Sequence, residues 1–172
     1  GTLYNTQDDA VLSRENNDKG QWDALFRWRS AGPSETVTVL NSVASRREGV
    51  PGPGNRPSLE SRLDTLQNLF GVQVERTGNN WSSKTHFWRH DRSELYNDES
   101  GEIGTGSQWN SDRYATTGLR THAGWAPLAE LLTSATVSAR HDRFSRKSLL
   151  SGSENDPLSR ASLSAMLAAE WW

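Results

Sequence analysis

Hydrophobic and polar positions alternate along most of this chain, most clearly between Gln21 and Arg47. Side chains of a strand point alternately to its two faces, so a period of two predicts one apolar and one polar face. The sequence AGPSE, residues 31–35, places the turn formers Gly, Pro and Ser between two such runs. The segment is therefore predicted to be a hairpin with Trp22, Ala24, Phe26, Val37, Val39 and Val43 on the apolar face, and with Arg27 and Arg29 on the polar face.

The same alternation recurs to the end of the chain and predicts an all-β fold, an antiparallel up-and-down meander of about seven long strands. The strands are expected near 20–30, 36–47, 62–76, 81–96, 112–125, 130–146 and 161–172. Residues 128–140 and 161–170 are rich in Ala and Leu, so helices are an alternative there. In the earlier runs, β-branched and aromatic residues alternate with polar ones, which favours strands.

The predicted connections alternate in length. Short turns are expected near 31–35, 77–80 and 126–129, and long polar loops near 48–61, 97–110 and 148–160, with a further loop at 1–19. Alternate connections of a meander lie at opposite ends of the sheet, so all short turns share one end. This asymmetry is typical of outer-membrane β-barrels, whereas soluble sandwiches mix connection lengths at both ends.

Tryptophan is unusually frequent, with eight residues, and three of them support the same interpretation. Trp28, Trp81 and Trp125 each lie beside a short turn and on the apolar face of their strands. A belt of indoles at one level is typical of a membrane–water interface. The alternative is a soluble core that holds Trp near its strand ends. In a barrel, the polar face would surround a lumen filled by water or by a polar plug.

The composition agrees with a sheet that needs apolar residues only at alternate positions. The 172 residues are 33% hydrophobic with a net charge of −2, and the mean hydropathy is −0.78. This balance offers no basic footprint for nucleic acid. The absence of Cys excludes disulfides and thiolate sites. The chain begins with Gly and carries no signal peptide, so we expect a fragment or a processed product.

No residue pattern predicts catalysis, a metal site or a cofactor. His86 and His90 are four residues apart but lack the Glu of the zinc-protease motif, so we expect two solvated histidines. Residues 49–54, GVPGPG, lack the Lys of a phosphate-binding loop, and residues 97–102, NDESGE, lack calcium-loop spacing. The second segment is expected to be a solvated turn. We therefore predict that the protein is not an enzyme, and ligand-binding residues stay unassigned.

Several stretches resemble the barrel of TonB-dependent outer-membrane receptors of the siderophore and cobalamin type. They are RENND before the first strand, SRREGVPGPG, ELYNDESGEIGTGSQWNSDRYATTGLRTHAGW and ARHDRFSRKSLLSGSENDP. The resemblance covers nearly the whole chain and rests on the pattern of strands and loops, without an invariant catalytic motif. It implies a fragment, residues 1–172, of a barrel of roughly 22 strands. The plug domain of that family is not seen in this sequence.

The resemblance also implies a function. Such receptors take up a scarce nutrient, an iron–siderophore or cobalamin, across the outer membrane of Gram-negative bacteria, driven by TonB, ExbB and ExbD acting through the plug. The expected partners are therefore outer-membrane lipid, the plug, the remaining strands and the nutrient, and not nucleic acid. Tyr96, Trp109 and scattered Arg residues in the long loops are expected to close over the ligand.

Two alternatives remain open from the sequence. One is a soluble or surface-exposed all-β binding module whose apolar face packs on a second sheet. The other is an outer-membrane barrel without TonB, such as a porin-like channel, although seven strands would break its even-number rule. In the receptor interpretation, residues 31–35 face the periplasm and residues 48–61 face the outside. The terminal Trp172 carries no weight as an assembly signal, because the apolar register ends at Trp171.

Overall fold

A computed structural model describes residues 2–4, 11–13, 18–52, 58–104 and 106–171. It confirms the all-β meander: seven antiparallel strands follow one another in a single sheet in chain order. These strands are β3 Lys19–Ala31, β4 Glu35–Gly49, β5 Arg62–Thr77, β6 Trp81–Asp98, β7 Gln108–Leu128, β8 Leu131–Ser148 and β9 Leu158–Trp171. Two short strands, β1 Thr2–Tyr4 and β2 Val11–Ser13, pair with each other in a separate sheet.

The strand register divides the seven-stranded sheet into two faces. Partners in neighbouring antiparallel strands point to the same face, and side chains alternate along each strand. The face we call the apolar face carries the even-numbered residues of β3 and β5 and the odd-numbered residues of β4, β6, β7, β8 and β9. The opposite face is called the polar face. The hairpin residues predicted to be apolar, from Trp22 to Val43, all share the apolar face.

The sheet is a single layer without a conventional core. Among residues 18–52, 58–104 and 106–171, no hydrophobic side chain is buried. Large apolar side chains of the apolar face are about half exposed, for example Phe26 at 59% and Trp125 at 54%. Exposed apolar surface on this scale marks an interaction surface. The apolar face therefore requires a covering of lipid or protein.

The sheet is also open at both sides. Within the described chain, β3 pairs only with β4, and β9 pairs only with β8. Each therefore leaves one edge of backbone N–H and C=O groups without a strand partner, which makes it a template for pairing with another strand. The outer strand β9 is exposed along its whole length, with Leu163 at 77% and Leu167 at 83%.

The connections confirm the predicted asymmetry of the two ends. Residues 32–34, 78–80 and 129–130 join strands by tight turns, and residues 50–61, 99–107 and 149–157 form the longer loops at the other end. Of the predicted loop 48–61, residues 53–57 lie outside the described residues, as does residue 105 of the predicted loop 97–110. The strands extend further into these loops than predicted, because β7 begins at Gln108 and β9 at Leu158.

The turn predicted at 126–129 was misplaced. Strand β7 continues to Leu128, and the turn consists of residues 129–130. Pro127 lacks an N–H donor and would normally end a central strand. Here the register shifts between Trp125 and Leu128, and the Ala126 N–H donates to the Asn80 carbonyl at 2.8 Å. A bulge therefore accommodates the proline and lets the strand continue.

Two further expectations concern the chain ends. The helical alternative for 128–140 and 161–170 was wrong, because residues 131–140 lie in β8, which pairs with residues 161–170 of β9, and residues 128–130 form the end of β7 and the turn. The predicted loop 1–19 was partly wrong, because residues 2–4 and 11–13 form a small ladder and β3 already begins at Lys19. Residues 5–10 and 14–17 of that prediction, and Trp172, lie outside the described residues.

Candidate functional site

The apolar face carries a band whose position shifts steadily across the sheet. On β3 the apolar-face residues of the band run from Trp22 to Trp28 and centre at position 25, between Ala24 and Phe26, and on β9 they run from Leu163 to Trp171 and centre on Leu167. The hydrogen-bonded ladder from Leu25 reaches Arg160 on β9, through Ser42, Leu69, His90, Thr116 and Asp142. A band that followed the ladder would centre on Arg160 of β9. The observed centre, Leu167, lies seven residues further along the strand.

This shift has a simple geometric meaning. Seven residues over six strand-to-strand steps is about 1.2 residues per strand, and at about 3.4 Å per residue and about 4.8 Å between strands it corresponds to a tilt of roughly 40°. Strands of transmembrane barrels tilt by about 35–45° relative to the barrel axis. On β7 the band spans residues 115–125, which at this tilt gives a height of about 26 Å. The apolar band of outer-membrane barrels is about 25 Å tall.

The tryptophans on the turn side lie at nearly one level once this tilt is taken into account. Within the ladder, Trp28 aligns with Leu163 on β9, eight residues from Trp171. A tilt that shifts the band by seven residues brings these two indoles to within about one residue of the same level. When the same shift of about 1.2 residues per strand is applied to β6 and β7, Trp81 and Trp125 lie within about three residues of the level of Trp28. The predicted belt of Trp28, Trp81 and Trp125 therefore gains a fourth member.

Polar residues inside the band are paired with one another. Asn41, near the middle of the band on β4, donates from its amide nitrogen to the Asn68 side-chain oxygen at 2.8 Å. Near the long-loop edge, Arg89 donates two hydrogen bonds to Asp91, at 2.7 and 2.9 Å. Pairing reduces the penalty of removing these groups from water. Both pairs are compatible with an apolar environment in a way that isolated polar groups would not be.

The polar face carries a hollow of about 590 Å³ above Gly71 of β5. Gly71 lies between Leu40 and Trp88 in one ladder and has no side chain to fill this space. Arg27 from β3 and Arg120 from β7 line the hollow from its two sides. A cavity of this size with aromatic walls and a few charged groups has the general form of a small-molecule site.

An aromatic pair forms one wall of the hollow. The rings of His86 and Trp88 stack with centroids 5.2 Å apart. The Trp88 indole lies directly over its ladder partner Gly118, where an added Cβ would overlap the ring. Aromatic residues placed over a glycine of the next strand restore packing that the glycine lacks. The indole is therefore fixed in position against the sheet.

Three arginines beside the hollow have no acidic partner among the described residues. The described residues form nine ion pairs, and none involves Arg27, Arg29 or Arg120. Ladders place Arg29 level with Arg120 and with His86. Guanidinium groups bind carboxylates and phosphates in bidentate geometry and stack on aromatic rings. Chemically, the hollow suits an anionic group attached to a planar or apolar body.

At the long-loop end of the sheet, the carboxylates of Asp98 and Glu102 each accept several hydrogen bonds from loop residues. Asp98 is only 2% exposed, and it accepts hydrogen bonds from the backbone N–H groups of Glu102 and Ile103 and from the Ser61 hydroxyl. Glu102 in turn accepts hydrogen bonds from the Ser58 hydroxyl at 2.7 Å and from two backbone N–H groups of residues 59–60. The bonds to Glu102 join the loop after β6 to the loop after β4 and are called the clasp.

The clasp at Glu102 has a predicted pH dependence. The backbone N–H of Glu60, the Ser58 hydroxyl and the neighbouring amides lower the pKa of Glu102 from 4.5 to about 2. The clasp is therefore expected to be fully formed above pH 4.5 and to be lost as the pH falls through about 2. Amide hydrogen exchange, corrected for the intrinsic rate, should show protected Leu59 and Glu60 amides at pH 5 and loss of that protection near pH 2.

A matched variant tests the charge itself. Glu102→Gln keeps the shape of the side chain and should already lose most of that protection at pH 5, because the carboxylate is the acceptor. The control is Glu99→Gln, since Glu99 is an exposed neighbour that takes part in the loop only through its backbone N–H. Unchanged protection in Glu102→Gln would contradict the clasp.

The residues predicted from the sequence are only partly brought together. Tyr96 donates from its hydroxyl toward Asp98 at 3.5 Å, and the indole N–H of Trp109 is buried without an acceptor in the described part of the chain. The expectation that 97–102 is a solvated turn was wrong for Asp98. An Asp before a turn with a left-handed glycine, here Gly101 at φ 65°, was the available signal for that loop.

The histidine pair lies where the strand pattern placed it, with His86 and His90 both on the polar face of β6. Within the described ranges, no group of three or more His, Cys, Asp or Glu side chains is arranged to hold a metal ion. The described ranges also contain no helix that is long and apolar enough to cross a membrane. Sequence reasoning missed the hollow, since Gly71 and Gly118 become meaningful only once the register is known.

Comparison with protein-family models, curated proteins and solved structures yields no match. The resemblance to TonB-dependent receptors therefore stays a prediction that rests on the sequence. The fold and the two faces of the sheet are established by the structure and do not depend on that resemblance.

Proposed function

We propose that this sheet is a segment of a transmembrane β-barrel in the outer membrane of a Gram-negative bacterium. The apolar face is in contact with lipid and the polar face lines the lumen. The observation that carries the proposal is the regular shift of the apolar band, which corresponds to a strand tilt of roughly 40°. A flat membrane slab cuts tilted strands at steadily shifting positions, so this pattern is expected of a barrel wall.

The open edges place a requirement on this proposal. Unpaired backbone groups at a sheet edge are strongly unfavourable in lipid, so only closed barrels cross membranes with strands. The proposal therefore includes further strands beside β3 and β9 to complete the barrel. The alternative of a soluble binding module requires a second layer over the apolar face. The described residues contain no second layer over this sheet.

The receptor function is proposed from the loops, the lumen and the sequence resemblance together. Loops after β4 and β6 are clasped at one end, as suits a binding surface above a barrel mouth. In the lumen, Arg27, Arg29 and Arg120 offer positive charge to an acidic plug or to an anionic nutrient. The proposed activity is TonB-energised uptake of a scarce nutrient such as an iron–siderophore or cobalamin, with ExbB and ExbD supplying the energy.

Membrane fractionation tests the location. Expressed from its own gene, the protein should remain with outer membranes after washing at high salt and high pH, and detergent should be needed to release it. The physical reason is that a lipid-covered apolar face is held by hydrophobic contact, which neither salt nor alkali weakens. Recovery of folded protein in the soluble fraction would favour the binding-module alternative.

Uptake measurements then test the receptor function separately. Disrupting the gene should abolish uptake of one labelled iron–siderophore or of cobalamin, and removing TonB should have the same effect. Passage of small solutes that continues without TonB, through a protein that fractionates with the outer membrane, would contradict the receptor and favour a porin-like channel.

A further inference from the structure

A second group of arginines lies on the apolar face, just beyond the apolar band on the long-loop side. Arg113 of β7 and Arg143 of β8 both belong to this face and are both exposed. Arg113 pairs with Ser145, and Arg143 pairs with Ala115, so the two arginines are diagonal neighbours. Diagonal neighbours on antiparallel strands lie within reach of each other's long side chains.

The two arginines line a shared hollow of about 410 Å³. Ser93 and Ser145 contribute hydroxyl groups to its lining, and Asn68 contributes an amide. Two acidic residues also line it, but Asp91 is already held by two hydrogen bonds from Arg89, and Glu154 lies in the loop after β8. Arg92 also lines the hollow but is paired with Glu94. The hollow therefore combines hydrogen-bond donors with two positive charges from Arg113 and Arg143 and one negative charge from Glu154, which leaves a net positive charge.

Neither arginine is neutralised within the described chain. The nine ion pairs of the described residues leave out Arg113 and Arg143. Adjacent like charges repel, so their placement on one diagonal favours a shared anion. Ala115, Leu119 and Val137 continue from the hollow into the apolar band. An anion bound here would therefore sit at the end of an apolar track.

We propose that Arg113 and Arg143 bind the phosphorylated headgroup of a bilayer lipid in the leaflet on the long-loop side. The acyl chains of this lipid lie along Ala115, Leu119 and Val137, and its phosphate accepts hydrogen bonds from the two guanidinium groups. This site rests on the proposed membrane function, because it needs lipid against the apolar face. Charge complementarity and the apolar track commit the site to a lipid and not to a free anion.

Lipid selectivity in the membrane-embedded protein tests the site. The protein is reconstituted into vesicles of phosphatidylcholine that carry either spin-labelled phosphatidylglycerol or spin-labelled phosphatidylcholine. Electron spin resonance then measures how strongly each label is immobilised at the protein surface. The variant is Arg113→Gln/Arg143→Gln, and the matched control is Arg27→Gln/Arg120→Gln, which removes two unpaired arginines from the opposite face.

The preference for phosphatidylglycerol should fall by about five-fold for each arginine removed from the apolar face, since one basic residue near a membrane surface contributes about 1 kcal/mol. The control should keep the preference of the unmodified protein. An unchanged preference in Arg113→Gln/Arg143→Gln, or an equal fall in both variants, would overturn the site. Loss of the preference in excess inorganic phosphate would show a free-anion site and overturn the lipid assignment.

The same measurement separates this site from the function on which it rests. Immobilised phosphatidylcholine reports contact of the apolar face with lipid and should be equal in all three proteins. A protein that immobilises neither label would contradict membrane embedding, and the lipid site with it. Immobilised lipid without headgroup preference would leave the barrel intact and overturn only the site.

Discussion

Arginine in place of Val137 is expected to destabilise the lipid-embedded protein by about 2–4 kcal/mol, the range for a cation at the bilayer midplane on a barrel's lipid face. Val137 lies near the middle of the apolar band on β8 and is 48% exposed. A guanidinium there would lose its hydration and find no acidic partner. The measurement is reversible unfolding by denaturant of the protein reconstituted in vesicles.

Two matched substitutions on β8 define the expected pattern. Ser138→Arg, one residue away, should change the free energy of unfolding little, because its side chain lies on the polar face, which lines the lumen in the proposed barrel. Ser145→Arg, on the apolar face but beyond the band, should cost much less than Val137→Arg, because only the repulsion of its ladder partner Arg113 opposes the new charge. Equal destabilisation by Val137→Arg and Ser138→Arg would contradict the assignment of the two faces. A penalty at Ser145 as large as at Val137 would contradict the band.

The second large effect is expected at Gly118, where leucine should destabilise the sheet by about 1–3 kcal/mol, as overpacked sites do. The Trp88 indole occupies the space that the new side chain needs, and the ring is also stacked on His86. The glycine is required for this close approach and not for a special backbone angle. The same unfolding measurement gives the change in free energy.

The control and the rescue use the same strand and the same ring. Gly124→Leu lies on the same face of β7, where an added Cβ meets Ser82 Oγ at 3.5 Å and the Thr133 carbonyl oxygen at 4.0 Å, both ordinary contacts, so it should be nearly neutral. Removing the ring in Trp88→Ala/Gly118→Leu should recover part of the stability lost by Gly118→Leu. Additive losses in the double variant would contradict direct overlap between the two residues.

The strands and their faces were predictable because alternation is a local property. The apolar face of β3 can be identified from Trp22, Phe26 and Trp28 without knowledge of any other strand. The same rule left residues 161–170 open between strand and helix, because Ala and Leu suit both. Pairing with β8 through a ladder of long-range hydrogen bonds makes this segment a strand.

The loops were predictable in position but not in structure. Gly, Pro and Asn marked where the chain turns, yet the clasp between Ser58 and Glu102 joins residues that are far apart in sequence. The bulge near Pro127 was missed for a similar reason. A proline predicts the end of a strand unless the neighbouring backbone accommodates a bulge, and here the carbonyl of Asn80, in the turn before β6, accepts the Ala126 N–H beside the proline.

The sequence by itself determined seven strands with two unlike faces, and it placed the short and long connections at opposite ends. Only the tertiary structure decided which residues share a ladder. That register shows the apolar band shifting from residues 22–28 of β3 to residues 163–171 of β9, and it places Gly71 beneath a hollow lined by Arg27 and Arg120. Alternation repeats every two residues and carries no information about which partner it faces. A slip of two residues leaves every side chain on its own face, so the register is fixed by the geometry of the turns and the pairing between strands, which only the folded sheet shows.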